Sequence, residues 1–285
     1  METPVSFEPA PLKKRMVAVS GLPRSGSTLL CQLLREHPEV YSPGHSSPLC
    51  PAISGLRQHL SDNNFLLAQL DLDPELMHQR LISSFRGFID GWFSETEKHT
   101  VVDKNRGWMQ HLETLLLLDP NAKVLVCLRE PGQILGSIEN QHQKTLLLDF
   151  PDHTASHTRY ARADALFAKE GVIGGPLLGI QHLQDLPAAL QQRVYYVVFE
   201  DLMSRPQQAM AEIYQWLELP AHSIDLNNLT TTPHESDSYY RFKYRHRQHS
   251  NLKKPAHHPL PARIDQEIKN NFAWFYRTFY PGLLS

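Results

Sequence analysis

Val17–Leu34 reads VAVSGLPRSGSTLLCQLL. An apolar run ends at Ser20, Gly21 and Gly26 are separated by four residues, a hydroxyl pair follows at Ser27–Thr28, and leucines then recur at helical spacing. A strand stopping at Ser20, a turn from Gly21 to Gly26 and a helix beginning there would aim successive backbone N–H groups at one point. The positive end of the helix would face the same point, so the loop is suited to an anion. The glycines allow the tight turn, Ser25, Ser27 and Thr28 add hydroxyl donors, and Arg24 adds a cation. Read structurally, the same letters make a strand-to-helix turn that carries Gly and Ser by accident.

The surrounding chain sets the frame. With 285 residues, 41% hydrophobic, and no Gly/Ser linker, it predicts a single domain over 1–285 with residues 1–12 as a flexible tail. A net charge of -2 gives no global basis for nucleic acid or an anionic membrane. Lys13, Lys14 and Arg15 precede an apolar run that stops at Pro23–Arg24, too short for a membrane span. The three cysteines lack C-x-x-C spacing, which points to a reducing, cytoplasmic setting.

Short β-rich runs alternate with helical patterns, the order of an α/β three-layer sandwich with a central parallel sheet. Strands are predicted at Met16–Ser20, near Val101–Val102, at Lys123–Leu128 and at Val194–Phe199. Helices are predicted over about Gly26–Glu36, Leu76–Trp92, Trp108–Leu118, Pro131–Lys144, His157–Lys169, Gln181–Gln192, Pro206–Leu217 and Arg263–Phe279. No repeat or low-complexity segment interrupts them.

Where this loop has Ser27, a nucleotide triphosphatase has a lysine, which with Mg²⁺ answers the crowded charge of two phosphates. A sulfuryl group carries less charge, and backbone N–H groups, hydroxyls and one cation suffice for it. A second anion point sits on the same rim: Arg129 ends a buried strand and Ser137 lies in the helix that follows.

These residues resemble the sulfotransferases that use 3′-phosphoadenosine 5′-phosphosulfate (PAPS). In that family a PRSGTT-like loop holds the 5′-phosphosulfate, and an Arg followed eight residues later by Ser holds the 3′-phosphate. This chain has PRSGST at Pro23–Thr28, and Arg129 with Ser137. The segments LLREHPEVYSPGHSSP, VVDKNRGWMQHLETLLLLDPNAKVLVCLRE, VYYVVFEDLMSRP and NLKKPAHHPL are similar to segments of the tyrosylprotein branch and its bacterial relatives.

The resemblance implies PAPS as sulfuryl donor, no metal, and Arg24, Ser25, Gly26, Ser27, Thr28, Arg129, Ser137 and Lys254 as donor-binding residues, Lys254 standing beside Lys253. Lys104 matches a lysine that meets the bridging oxygen as sulfate leaves, and Arg24 shares that role. His45 falls where the branch has a glutamate base. Imidazole, near 6.5 when unperturbed, suits removal of a hydroxyl proton at neutral pH. Glu36 and Glu39 are the fallback bases, ahead of Asp103 and Glu113.

In YYRFKYRHRQH, Tyr239–His249, the basic residues Arg241, Lys243, Arg245 and Arg247 alternate. In an extended segment they share one side, which would suit an acidic peptide; a solvated face is the plain alternative. His246 with His249, and His257–His258, have no carboxylate or thiolate partners at ligand spacing, which argues against a metal site. The expected partner is an acceptor hydroxyl, either a tyrosine in an acidic peptide or a small-molecule or carbohydrate hydroxyl; a homodimer stays open. Competing activities are a P-loop phosphotransferase, which needs the missing loop lysine, and a non-catalytic nucleotide-binding module.

Overall fold

The computed structural model describes residues 9–144, 156–232, 235–236, 245–246 and 248–284. Strand β1 (Arg15–Gly21) is the centre of a five-stranded, all-parallel sheet. Helix α1 (Ser27–Arg35) leads to β2 (Val40–Tyr41), then to α2 (Leu49–Ser61), α3 (Asn64–Leu72) and α4 (Pro74–Trp92). Strand β3 (Thr100–Lys104), a short 3₁₀ turn at Arg106–Gln110 and α5 (Leu112–Leu118) precede β4 (Lys123–Leu128) and α6 (Pro131–Lys144). The chain continues with α7 (Arg159–Phe167), α8 (Gly174–Asp185), α9 (Ala188–Gln191), β5 (Val194–Val198), α10 (Phe199–Ser204) and α11 (Pro206–Trp216). A two-residue antiparallel pair, β6 (Glu235–Ser236) with β7 (Arg245–His246), precedes α12 (Ala262–Asn271) and α13 (Ala273–Phe279).

The sheet order is β2-β3-β1-β4-β5. Side chains alternate across it, as a strand buried on both faces requires. On one face Met16, Ala18, Val101, Val124 and Val126 pack with Trp108, Leu115, Ile134 and Phe275. On the other, Val17, Val19, Val102 and Leu125 pack with Leu30, Leu33, Leu34, Ile213 and Tyr214. This is the three-layer architecture the alternating pattern predicts.

Register then sets the site. Lys104 pairs with Val19 and Cys127 with Gly21, so the ends of β3, β1 and β4 are brought level. Gly21 has φ 122, and a Cβ there would lie 2.2 Å from the Cys127 carbonyl oxygen, so only glycine lets β1 pass this close to β4 as it turns out of the sheet. At the opposite end the Asp119 carboxylate accepts the Met16 N–H at 2.8 Å, satisfying the first core residue of β1.

Several predicted bounds shift for local reasons. The fourth predicted strand stops at Val198 because Phe199 opens α10. The helix expected over Trp108–Leu118 is a 3₁₀ turn and α5, parted at His111, and that over Arg263–Phe279 is α12 and α13, parted at Phe272. The helix expected at Gln181–Gln192 begins earlier, at Gly174, and breaks before Pro187 into α8 and α9. β2, α2, α3 and α10 add to the prediction. Within the expected tail, the Pro9 and Ala10 carbonyls accept from Arg86 at 3.1 and 3.0 Å.

Candidate active site

The loop between β1 and α1 turns through two left-handed residues, Arg24 at φ 56 and Gly26 at φ 85. A Cβ at Gly26 would meet the Phe199 ring at 2.5 Å. α1 has no side-chain cap and no acid in its first turn, so its leading N–H groups remain directed into the loop. Ser27 and Thr28 line the cleft above them. The Ser25 hydroxyl is buried and donates to the Leu22 carbonyl at 2.6 Å, so it braces the turn and leaves only the backbone N–H of Ser25 for a ligand.

Lys104, Arg129 and Arg24 stand around the loop, and Arg106 and Lys253 line the same cleft. Lys104, 7% exposed at the end of β3, donates to the Thr28 hydroxyl at 3.0 Å. Arg129, also 7% exposed, donates from Nη1 to the Arg24 carbonyl at 3.0 Å and lies over the Phe199 ring at 4.7 Å. Arg24 Nε donates to the Ser137 hydroxyl at 3.3 Å, so the two predicted anion points are one network. The Arg129 Nε is buried with no hydrogen-bond partner. Burial pulls the Arg129 guanidinium below its ordinary range, Glu200 opposes that shift and Arg24 adds to it. His258 is likewise held below the usual imidazole range, first by burial and then by Arg129 and Arg24. A buried guanidinium with an unfilled donor, beside the half-buried Arg24, is a site that an anion would stabilise.

The C-terminal helix fixes the Arg129 surroundings. Glu130 caps α6 by accepting from the Gly132 and Gln133 N–H groups at 2.9 and 2.7 Å, and it also accepts the Tyr276 hydroxyl. Glu200, beside Phe199, accepts the Tyr280 hydroxyl at 2.7 Å. Carboxylates on both sides of Arg129 are thus held by tyrosines from α13 and the residue after it.

The cleft over the loop has a volume of about 630 Å³. Arg24, Gly26, Ser27, Thr28, Lys104 and Arg129 line it. Sequence reading misses Gln32, Phe199, Met203 and Gln248 as lining residues. Gln32 Nε2 donates to the Thr230 and His249 carbonyls at 3.0 and 2.8 Å, drawing the late segment across α1. Contacts between residues about two hundred positions apart leave no local sequence signal. Of the lysine pair, Lys253 lines the cleft and Lys254 is exposed outside that lining.

His45 is exposed on the loop between β2 and α2, with Nδ1 3.1 Å from the Pro43 carbonyl oxygen. It is not among the lining residues, whereas its neighbours Ser46 and Ser47 are. Of the fallback bases, Glu36 accepts the Thr230 N–H at 2.7 Å, and Asp103 is buried. Arg241 lies outside the described residues, and Arg245 is described only as the backbone partner of Ser236 in β7. Among the described residues there is no group of three or more His, Cys, Asp or Glu that could hold a metal, and no helix long and apolar enough to cross a membrane.

Asp103 accepts the Trp108 indole N–H at 2.7 Å. Burial pushes its carboxyl up, against the pull of the Ser47 hydroxyl, the Trp108 indole and nearby His45. A carboxyl raised on folding binds its proton more tightly in the native state, so stability is highest below the unfolded value, about pH 3.9, and falls as pH rises toward the folded value. Asp103→Asn should remove that loss and gain on the order of 1 kcal/mol at pH 8, with the gain vanishing near pH 3. Urea midpoints measured across pH check this; a gain independent of pH would contradict it.

The sulfotransferase family model matches residues 17–223, from β1 to beyond α11. The nodulation protein NoeE of Sinorhizobium fredii is 31% identical over 125 residues, covering 42% of this chain and 30% of that protein. Protein-tyrosine sulfotransferase A of Caenorhabditis elegans is 23% identical over 207 residues, covering 72% of this chain and 50% of that protein. The chain therefore spans half or less of the length of these two curated relatives. The crystal structure of a sulfotransferase from Alicyclobacillus acidocaldarius shares the fold, with a TM-score of 0.54 at 12% identity over 96% of both chains. With the model covering well over half of the residues, the phosphate-type loop and its cations included, the chain belongs to the sulfotransferase family.

Proposed function

We propose that the chain moves a sulfuryl group from PAPS to an acceptor hydroxyl. The observation that carries this is the convergence of Arg24, Lys104 and Arg129 on one loop, with Ser137 joined to Arg24. The acceptor oxygen forms its bond to sulfur as the bond from sulfur to the bridging phosphate oxygen breaks. The hydroxyl proton goes to a base, and adenosine 3′,5′-bisphosphate leaves. In this reading the N–H groups of Ser25–Thr28, with Arg24 and the hydroxyls of Ser27 and Thr28, hold the phosphosulfate end. Arg129 and Ser137 hold the 3′-phosphate, Lys104 faces the bridging oxygen, and His45 takes the proton. Lys254, the closing lysine expected from the sequence, shares that role with Lys253, which lies nearer the cleft.

For the acceptor, a tyrosine in an acidic peptide is supported by the match to a protein-tyrosine sulfotransferase and by the basic run holding Arg241 and Arg245. A small-molecule or carbohydrate hydroxyl is the other class. A cytoplasmic setting accords with three free, buried cysteines.

The direct test is on the donor side. Each charge-assisted contact to the 3′-phosphate contributes about 1.5–3 kcal/mol. Arg129→Ala should therefore weaken adenosine 3′,5′-bisphosphate by about 10- to 150-fold in calorimetry, and adenosine 5′-monophosphate little. Equal affinity of the unaltered protein for the two nucleotides would sink the PAPS reading.

A further inference from the structure

The strand order assigns the two ends of the cleft. β1 is central, and Arg129 after β4, with Phe199 and Met203 after β5, lies on one side of its loop. Lys104 at the end of β3 and Ser46–Pro48 after β2 lie on the other. If the donor's 3′-phosphate is held at Arg129, the acceptor is left the β2–β3 side. The wall there is the start of α2: Pro48 and Pro51 line the cleft.

That wall continues outward as one helical face. Leu49, Cys50 and Ile53 point into the core, while Pro48, Pro51, Ala52, Gly55 and Leu56 are exposed at helical spacing. A Cβ at Gly55 would meet nothing within 4 Å, and Leu56 is 43% exposed. α2 carries no carboxylate, and Arg57 is drawn aside to the Thr114 hydroxyl at 3.0 Å. α3, which has no buried residue, packs on α2 and adds Phe65 and Leu72, 85% and 83% exposed. Among the described residues, six of the eleven large exposed apolar side chains fall between Leu56 and Trp92. Apolar surface concentrated in this way marks a binding face.

We infer that the acceptor's hydroxyl is carried on an apolar body, an alkyl or aryl chain, that lies along the exposed face of α2 from Pro48 to Leu56. The inference rests on the sulfuryl-transfer reading for its orientation. It takes the small-molecule class over the acidic peptide because the acceptor-side wall offers apolar contact continuous with the cleft. From Pro48 to Leu56 the face runs about 12 Å, room for a chain of several methylenes.

The test uses the full chain with PAPS and a series of 4-alkylphenols from methyl to octyl, following bisphosphate release. Full burial of a methylene is worth about fourfold, and a chain lying on one wall keeps its other side in water, so kcat/KM should rise about twofold per methylene. Leu56→Glu and Ala52→Asp, both on the exposed face, should flatten that rise. A flat series in the unaltered protein, a rise that persists in both variants, or a higher kcat/KM for an acidic tyrosine peptide than for 4-octylphenol would each overturn the inference. Should no acceptor react, calorimetric binding of 4-octylphenol separates the two ideas. Binding lost in Leu56→Glu keeps the α2 face as a site and removes the transfer reading; no binding at all removes the face.

Discussion

His45→Ala should slow sulfuryl transfer by about 10²- to 10⁴-fold while leaving the affinity for adenosine 3′,5′-bisphosphate unchanged. The attacking hydroxyl must lose its proton as the new bond forms, and His45 is on the acceptor side of the loop, next to residues that line the cleft. With Nδ1 facing the Pro43 carbonyl, the proton of a neutral ring sits on Nδ1 and the basic lone pair on Nε2. Backbone pairing of Ser46 with Lys104, and the Ser47 N–H bonded to the Lys104 carbonyl at 2.9 Å, tie this loop to the end of β3. Added imidazole should restore part of the rate in His45→Ala. An unchanged kcat in His45→Ala would move the base elsewhere and leave the loop as a wall.

Lys104→Met should lower kcat by about 10²- to 10³-fold with a much smaller effect on donor KM. The lysine is held at the end of β3 by register with Val19 and by its bond to the Thr28 hydroxyl, so its charge stands at the loop before any ligand arrives. Negative charge grows on the bridging oxygen only as the bond to sulfur breaks, and a cation placed there acts on the transition state more than on the bound donor. Lys104→Arg should not recover the rate, because the broader, planar guanidinium does not fit where a point charge is needed. Single-turnover rates and donor binding, measured separately, decide the matter: a loss confined to binding would assign Lys104 to holding the donor.

The elements whose bounds follow from sequence without a shift are heavily buried ones. β4 and α6 keep their predicted bounds, since Lys123–Leu128 is buried throughout and Glu130 and Pro131 mark a helix start. β1 is one residue longer at each end. β2 has two residues, too short for any alternation. α2 begins among Pro48 and Pro51 and contains Gly55, all of which read as breakers, although proline in a first turn is compatible with a helix. α3 buries nothing, so it has no apolar stripe to show. Arg24, Lys104, Arg129 and Ser137, which the structure brings together, stood out in the sequence because each is at or just after a strand end or on a marked helix. Gln248 and Lys253 reach the cleft through long-range bonds, those Gln32 makes to the Thr230 and His249 carbonyls and the backbone pairs Leu229–Ser250 and Leu252–Leu226.

The tyrosine latches have a consequence for the order in which the protein becomes competent. Arg129 leaves the ribosome with its strand, but the partners that restrain its neighbours, Tyr276 and Tyr280, are made about 150 residues later. A nascent chain can pair β1, β3 and β4, form its anion loop and cap α6 with Glu130 while Glu130 and Glu200 still lack their tyrosine partners. Donor binding would then switch on late, when the C-terminal helix docks, and a ribosome-stalled chain ending before Ala273 would hold a formed sheet beside an unfinished nucleotide site.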